Sequence, residues 1–149
     1  MTKYFGVASS DLGALVTSSI PVGSAVSLTT NTAANITSIT LTPGDWDISG
    51  VIDFNPAATT SVTNITASAS LTSATVSGQA GGNGLGTDPT MIWNQAASVP
   101  AGVMAMEVPA VRLSITASTT VYLVAKATFT VSTMTAYGTI RANRVGAPA

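Results

Sequence analysis

Apolar and polar side chains alternate along most of this chain with a period of two, which is typical of half-buried β-strands. The alternation is clearest in residues 45–54, where the even positions from Trp46 to Phe54 are apolar or glycine. The odd positions, including Asp45 and Asp47, are mostly polar. Similar alternation occurs over residues 65–72, 111–117, 121–131 and 136–143, and weaker alternation near 24–30, 91–97 and 103–108. The sequence therefore predicts about eight strands and negligible α-helix.

Turn residues separate these segments. In Thr42-Pro43-Gly44-Asp45, Pro suits the second turn position and Gly the third, where a positive φ is needed. This turn predicts a β-hairpin over residues 36–54. Eight short strands in one domain of 149 residues favour an all-β, two-sheet antiparallel sandwich, with a jelly roll as the leading form. The predicted sandwich domain covers residues 24–149.

Residues 1–23 alternate poorly, so they predict an irregular N-terminal arm that packs on a neighbouring subunit. A terminal strand of the sandwich is an equally weighted alternative. The apolar side chains Tyr4, Phe5, Leu12 and Leu15 are the candidates for this contact.

Composition changes the functional picture more than the fold. Charged residues make up 7% of the chain, against roughly 25% in an ordinary soluble domain, whereas 24 Thr and 17 Ser supply the polarity. A surface so poor in charge indicates a protein that contacts other proteins. Five scattered basic residues argue against nucleic-acid binding and against an anionic-lipid anchor. We recognise no signal peptide and no membrane-spanning run, so we expect synthesis in a cytoplasm.

The chain contains no His and no Cys, which removes the usual general base and the commonest soft metal ligands. The Gly-rich segment 78–89 lacks the Lys and the following helix of a phosphate-binding loop. The sequence therefore predicts no enzymatic activity, no cofactor and no metal site.

Asp45, Asp47 and Asp53 share one face of a predicted strand, where a solvated or arginine-paired row is favoured over a carboxylate site. The available partners, within the chain or across a subunit boundary, are Arg112, Arg141 and Arg144. Together with the apolar side chains of the arm, Asp45, Asp47 and the three arginines form the set of assembly candidates.

Two segments, residues 39–50 with Pro43-Gly44-Asp45-Trp46-Asp47 and residues 119–142, resemble small virion proteins of tailed bacteriophages and the distal modules of their tail fibres. The resemblance implies a trimeric sandwich similar to complement C1q and tumour-necrosis-factor heads, and it carries over no catalytic residue. It implies a virion location.

The resemblance leaves two functions open. Fewer than about 30 residues precede the predicted sandwich, which favours a capsid decoration (cement) protein whose partner is the major capsid protein. The alternative is a tail-fibre or baseplate adhesin tip that binds a cell-surface receptor.

Overall fold

The structure, a computed structural model, describes residues 12–76, 90–100 and 102–147, and for residues 95–100 it describes the backbone alone. Most of these residues lie in strands. The strands are β1 (Leu15–Ile20), β2 (Val26–Ser27), β3 (Ala34–Leu41), β4 (Gly44–Pro56), β5 (Ser61–Ser70), β6 (Thr90–Pro100), β7 (Met104–Ile115), β8 (Thr119–Thr130) and β9 (Met134–Gly146). A single 3-10 turn, Val22–Ser24, is the helical element of the described residues.

The strands form two antiparallel sheets. Sheet A has the order β1-β9-β4-β7, with β2 also paired to β9, and sheet B has the order β3-β8-β5-β6. Apart from the two-residue β2, the pairing is nested: β1 with β9, β3 with β8, β4 with β7 and β5 with β6. This is the double-sheet arrangement of a jelly roll, so the predicted all-β sandwich is confirmed.

The core lies between the two sheets and contains the side chains that the alternation predicts. Trp46 is 2% exposed, and Ile48, Ile52 and Phe54 of the same strand are fully buried. The Trp46 indole Nε1–H donates to the Thr42 carbonyl oxygen over 2.9 Å, so its polar group is satisfied where the ring is buried. The predicted inner face of β4 is therefore confirmed.

The predicted hairpin over residues 36–54 is wrong. Strand β3 pairs with β8, whereas β4 pairs with β7 and β9 in the other sheet. The turn at Pro43-Gly44 therefore carries the chain from one sheet to the other. Gly44 has φ +151°, and a Cβ there would lie 2.7 Å from Arg144 Nε, so the corner requires glycine for its backbone as well as its packing.

The N-terminal segment differs from the predicted arm over residues 1–23. Leu15–Ile20 form an edge strand that pairs with β9 in continuous register from Asn143 to Gly138. Of the two alternatives, the terminal strand is the one observed for these residues. The part of the predicted arm that precedes Leu12, including Tyr4 and Phe5, lies outside the described residues.

Strand β9 approaches β4 closely at Gly138. A Cβ at this position would lie 2.2 Å from the Val51 carbonyl oxygen, which belongs to the backbone and cannot move aside without shifting the strand. This position therefore accepts glycine alone without a change in the spacing between the two central strands of sheet A.

Trp46→Ala is expected to lower the free energy of unfolding by about 3–5 kcal/mol, because it leaves a large cavity in the core. Chemical denaturation measures this change. Val51→Ala is the matched control, since Val51 lies on the same strand and is 36% exposed on the opposite face. Equal destabilisation by the two substitutions would contradict the assignment of the β4 faces.

Gly138→Ala is expected to destabilise the fold by about 3 kcal/mol, because the added methyl group overlaps the β4 backbone. Thermal and chemical unfolding measure the change. Gly23→Ala is the control, because no atom lies within 4 Å of a Cβ at that position. Unchanged stability of the Gly138 variant would show that β4 and β9 are further apart.

Candidate interaction surface

The outer face of sheet A collects most of the charged side chains that the structure describes. Their positions in the paired strands place them on one side of the sheet. We call this surface the charged face; it carries Asp45, Asp47 and Asp53 of β4, Glu107 and Arg112 of β7, and Arg141 of β9. By contrast, Lys126 of β8 is the one charged residue in the described part of the sheet B strands.

Asp47 and Arg112 are directly opposite each other on β4 and β7 and form a bidentate ion pair. Arg112 Nε donates to Asp47 Oδ1, and Arg112 Nη2 donates to Asp47 Oδ2 over 3.2 Å. The hydrogen bond that Arg112 donates to Asp47, together with the negative charges of Asp47 and Asp45, raises the pKa of the Arg112 guanidinium above its ordinary value. The expected arginine pairing of the Asp row is thus confirmed at Asp47, within one chain.

A shallow depression of about 310 Å³ lies in the middle of the charged face. It is lined by Ser49, Gly50, Val51, Glu107, Thr139 and Arg141. The β4–β7 register shifts between Ile48 and Gly50, where β7 carries an extra residue between Val108 and Val111. Such a bulge locally bends a strand and changes the direction of its side chains. The depression therefore occurs where the sheet is irregular.

Arg141 forms one wall of the depression. Its Nε donates to Ser49 Oγ over 3.0 Å, so the guanidinium is oriented by the hydroxyl of the strand beside it. Arg141 does not pair with Asp45 or Asp47, the acidic candidates that the sequence offered it. Glu107, on the opposite wall, is exposed.

Arg144 does not belong to the charged face. It faces the inner side of sheet A, where its guanidinium lies 5.9 Å from the centroid of the Trp46 ring. Its Nη2 donates to the Pro43 carbonyl oxygen over 2.8 Å. Within the described part of one chain, Arg144 therefore packs on Trp46 and holds the corner between β3 and β4, whereas Arg112 is the arginine that pairs with the Asp row.

Asp45 lies at the end of the charged face, opposite Ser114. One of its carboxylate oxygens, Oδ1, is buried and has no hydrogen-bond partner within the described part of the chain. No group of three or more acidic residues in the described ranges is arranged to hold a metal ion. The row of Asp residues is extended along one strand, as its period of two predicts.

The outer face of sheet B is different in chemistry and partly covered. Thr66, Ser68, Ser70 and Val124 point outwards from its two central strands but are at most 2% exposed. The turn after β5 returns towards β3, where the Ala74 N–H donates to Asn35 Oδ1 over 2.7 Å. Sheet A therefore presents the more open of the two outer faces.

Exposed apolar side chains lie at the corner of sheet A where β1 begins and β9 ends. Leu12 is 50% exposed, Leu15 is 59% exposed and Val145 is 39% exposed. The Gly13 N–H donates to the Arg144 carbonyl oxygen over 2.9 Å, which holds the start of β1 against the end of β9. We call these three residues the apolar corner. Leu12 and Leu15, the two apolar assembly candidates that lie within the described residues, are thus exposed.

Sequence reasoning did not single out Glu107 or Ser49. The alternation Met104, Met106, Val108 already indicates that Glu107 faces outwards, so its exposure could have been predicted. Its position opposite Val51 could not, because the pairing of β7 with β4 joins distant parts of the chain.

Comparison with known proteins assigns no family or function to this chain. No family model, curated protein or solved structure matches this chain. The described residues include no helix that is long and apolar enough to cross a bilayer. The functional argument therefore rests on the surfaces of the sandwich.

Arg144→Ala is expected to destabilise the fold by about 2 kcal/mol, because it removes a charged hydrogen bond and a cation–π contact with Trp46. Denaturant unfolding, followed by tryptophan fluorescence, measures both the stability and the environment of the ring. Arg141→Ala is the matched control on the same strand and should leave both unchanged. The same loss of stability in the two variants would argue against a specific role for Arg144.

Proposed function

We propose that this chain is a structural protein of a tailed-bacteriophage virion, and that it decorates and stabilises the head as a homotrimer bound to the major capsid protein. The observation that carries the proposal is the apolar corner, where three exposed apolar side chains lie together, since clustered exposed apolar side chains mark protein contacts. The jelly-roll fold and the resemblance of residues 39–50 and 119–142 to virion proteins support it.

The apolar corner is suited to bind a flat protein lattice. Leu15 lies on an edge strand, and Leu12 precedes it at the end of the sheet, so both side chains are accessible from outside the sandwich. Burying about 100 Å² of apolar surface contributes roughly 2.5 kcal/mol before ordering costs. Repetition of this contact on every subunit of a trimer would multiply its effect, because later contacts form at a high effective concentration.

The small number of charges supports self-association. The chain exposes 7667 Å² of surface but has only five basic and six acidic residues. A closed ring of three copies would remove much of the Thr, Ala and Val surface from water without leaving an open interface. We place the trimer contact away from the apolar corner, so that all three corners can face the capsid.

The substitution Leu12→Asp with Leu15→Asp is expected to abolish binding to purified heads of the phage that encodes the protein, while the trimer remains intact. Co-sedimentation with heads measures the binding, and light scattering measures the mass, which should be about three times 14.8 kDa. Thr17→Asp with Ser19→Asp is the matched control, because these residues are exposed on the same strand and are already polar.

Binding to tails or to host cells, with no binding to heads, would instead support the adhesin alternative. A monomer at micromolar concentration would contradict the proposed trimer. Retention of head binding by the double Leu variant would show that the apolar corner is not the contact.

A further inference from the structure

The edge of sheet B at β6 carries exposed apolar side chains. Strand β6 ends the sheet, and within the described ranges the strand that pairs with it is β5. Met91 is 45% exposed and Ile92 is 41% exposed. Ile92 lies on the outer side of the sheet, whereas Met91 and Trp93 lie on the inner side, opposite core residues of β5. Apolar surface is therefore exposed on both sides of the same edge strand.

The other three edges of the two sheets have protection that β6 lacks. Strands β1 and β3 lie against each other, with Ser18 Oγ 2.6 Å from Thr37 Oγ1. Strand β7 has charged side chains, Pro109 and an irregular register with β4. Charges, prolines and bulges are the features that keep an edge strand from pairing with another chain. Residues 90–98 contain no charged residue and no proline, so the backbone edge of β6 is suited to accept a further strand.

The segment of residues 90–94 has the same pattern in both directions. It consists of a polar residue, three apolar residues and a second polar residue. An antiparallel copy centred on Ile92 therefore places Ile92 opposite Ile92, and Met91 of each copy opposite Trp93 of the other. The polar residues at the two ends are then opposite each other. Because cross-strand pairs of apolar side chains stabilise a sheet, this segment is complementary to itself.

We propose that β6 pairs with β6 of a second copy of this chain, antiparallel and centred on Ile92. The two-fold axis is normal to sheet B and passes between the two strands, as for two identical antiparallel strands in one sheet. Sheet B of one copy then continues into sheet B of the other. On the outer side of the joined sheet the two Ile92 side chains contact each other. On its inner side, Met91 of each copy contacts the partner's Trp93.

The contact is short, so we expect weak association. Five residue pairs make a ladder about 17 Å long. It contains roughly four backbone hydrogen bonds if Ile92 occupies a non-hydrogen-bonded pair, and roughly six if it occupies a hydrogen-bonded one. Interfaces of this size are weak and transient, so we expect association at micromolar to millimolar concentration. Added salt should not weaken it, because the paired segment contains no charged residue.

This inference goes beyond the proposed function and does not depend on it. Strand β6 lies beside β7, which is one edge of sheet A, whereas the apolar corner lies at the opposite edge, on β1 and the end of β9. The pairing of β6 therefore does not use Leu12 or Leu15, and it can join two single chains or two of the proposed trimers.

A cysteine at the centre of the pairing tests the inference, since the native chain contains no cysteine. The Cβ atoms of directly opposed residues are about 4.5–5.5 Å apart. Ile92→Cys, treated with a short thiol-to-thiol cross-linker, is therefore expected to give a covalent dimer of about twice 14.8 kDa on a denaturing gel. Val131→Cys is the matched control and should stay a single chain, because Val131 is also β-branched and is 83% exposed but lies in the turn between β8 and β9.

Ile92→Lys removes the apolar centre of the contact and places two like charges opposite each other. Sedimentation equilibrium is expected to show that the dissociation constant of the pairing rises about tenfold or more. Val22→Lys is the control, since Val22 is 58% exposed in the 3-10 turn, and it should leave the constant unchanged. Far-UV circular dichroism checks that every variant keeps the native sandwich.

Equal cross-linking of the Ile92→Cys and Val131→Cys variants, or an unchanged dissociation constant for Ile92→Lys, would overturn the inference. Each cross-link joins two chains whether the associating unit is a monomer or a trimer. Absence of the proposed trimer therefore leaves this test intact.

Discussion

The pairing of β4 with β9 determines which side chains face the solvent on sheet A. Its ladder runs without a gap in register from Trp46–Arg144 through Gly138 to Pro56–Met134, with one irregularity at Asp45. The close approach at Gly138 aligns the two strands at Ile52. A shift by one residue would turn the whole of β4 over, which would bury its aspartates and expose Trp46. The core and the charged face therefore depend on the same register.

This register also explains how a chain with few charges can concentrate them. Ionised groups in a sandwich are favoured at the outward positions of each strand, since burial of an unpaired charge is costly. Arg144, near the end of β9, is an inward exception whose guanidinium donates to the Pro43 carbonyl oxygen. In sheet A the outward positions carry charges of both signs within reach of one another, as at Asp47 and Arg112. In sheet B they carry mostly hydroxyl and amide groups. The two outer faces therefore have different chemistry although the strands share one core.

Much of this architecture could be predicted from the sequence, but only at the level of single strands. The alternation around Trp46 and in β8 correctly indicates which residues are buried, because a period of two is a local property. The hairpin predicted over residues 36–54 does not form, because Pro43-Gly44 suits both a turn within one sheet and a connection between two sheets. The sequence leaves a terminal strand as one of two alternatives for the β1 segment, since the half-buried face of Val16, Ser18 and Ile20 is short and includes a polar residue.

The candidate site was less predictable than the fold, because its geometry depends on pairs of residues far apart in the chain. Asp47 and Arg112 are 65 positions apart, and Arg141 and Ser49 are 92 apart. Arg144 shows the limit of reasoning from charge alone, since its alternation with Ala142 and Ile140 places it on the inner side, next to Trp46. Once the nested pairing is known, these contacts follow from the register. The topology of this sandwich therefore brings charges that are dispersed in the sequence together on one open face.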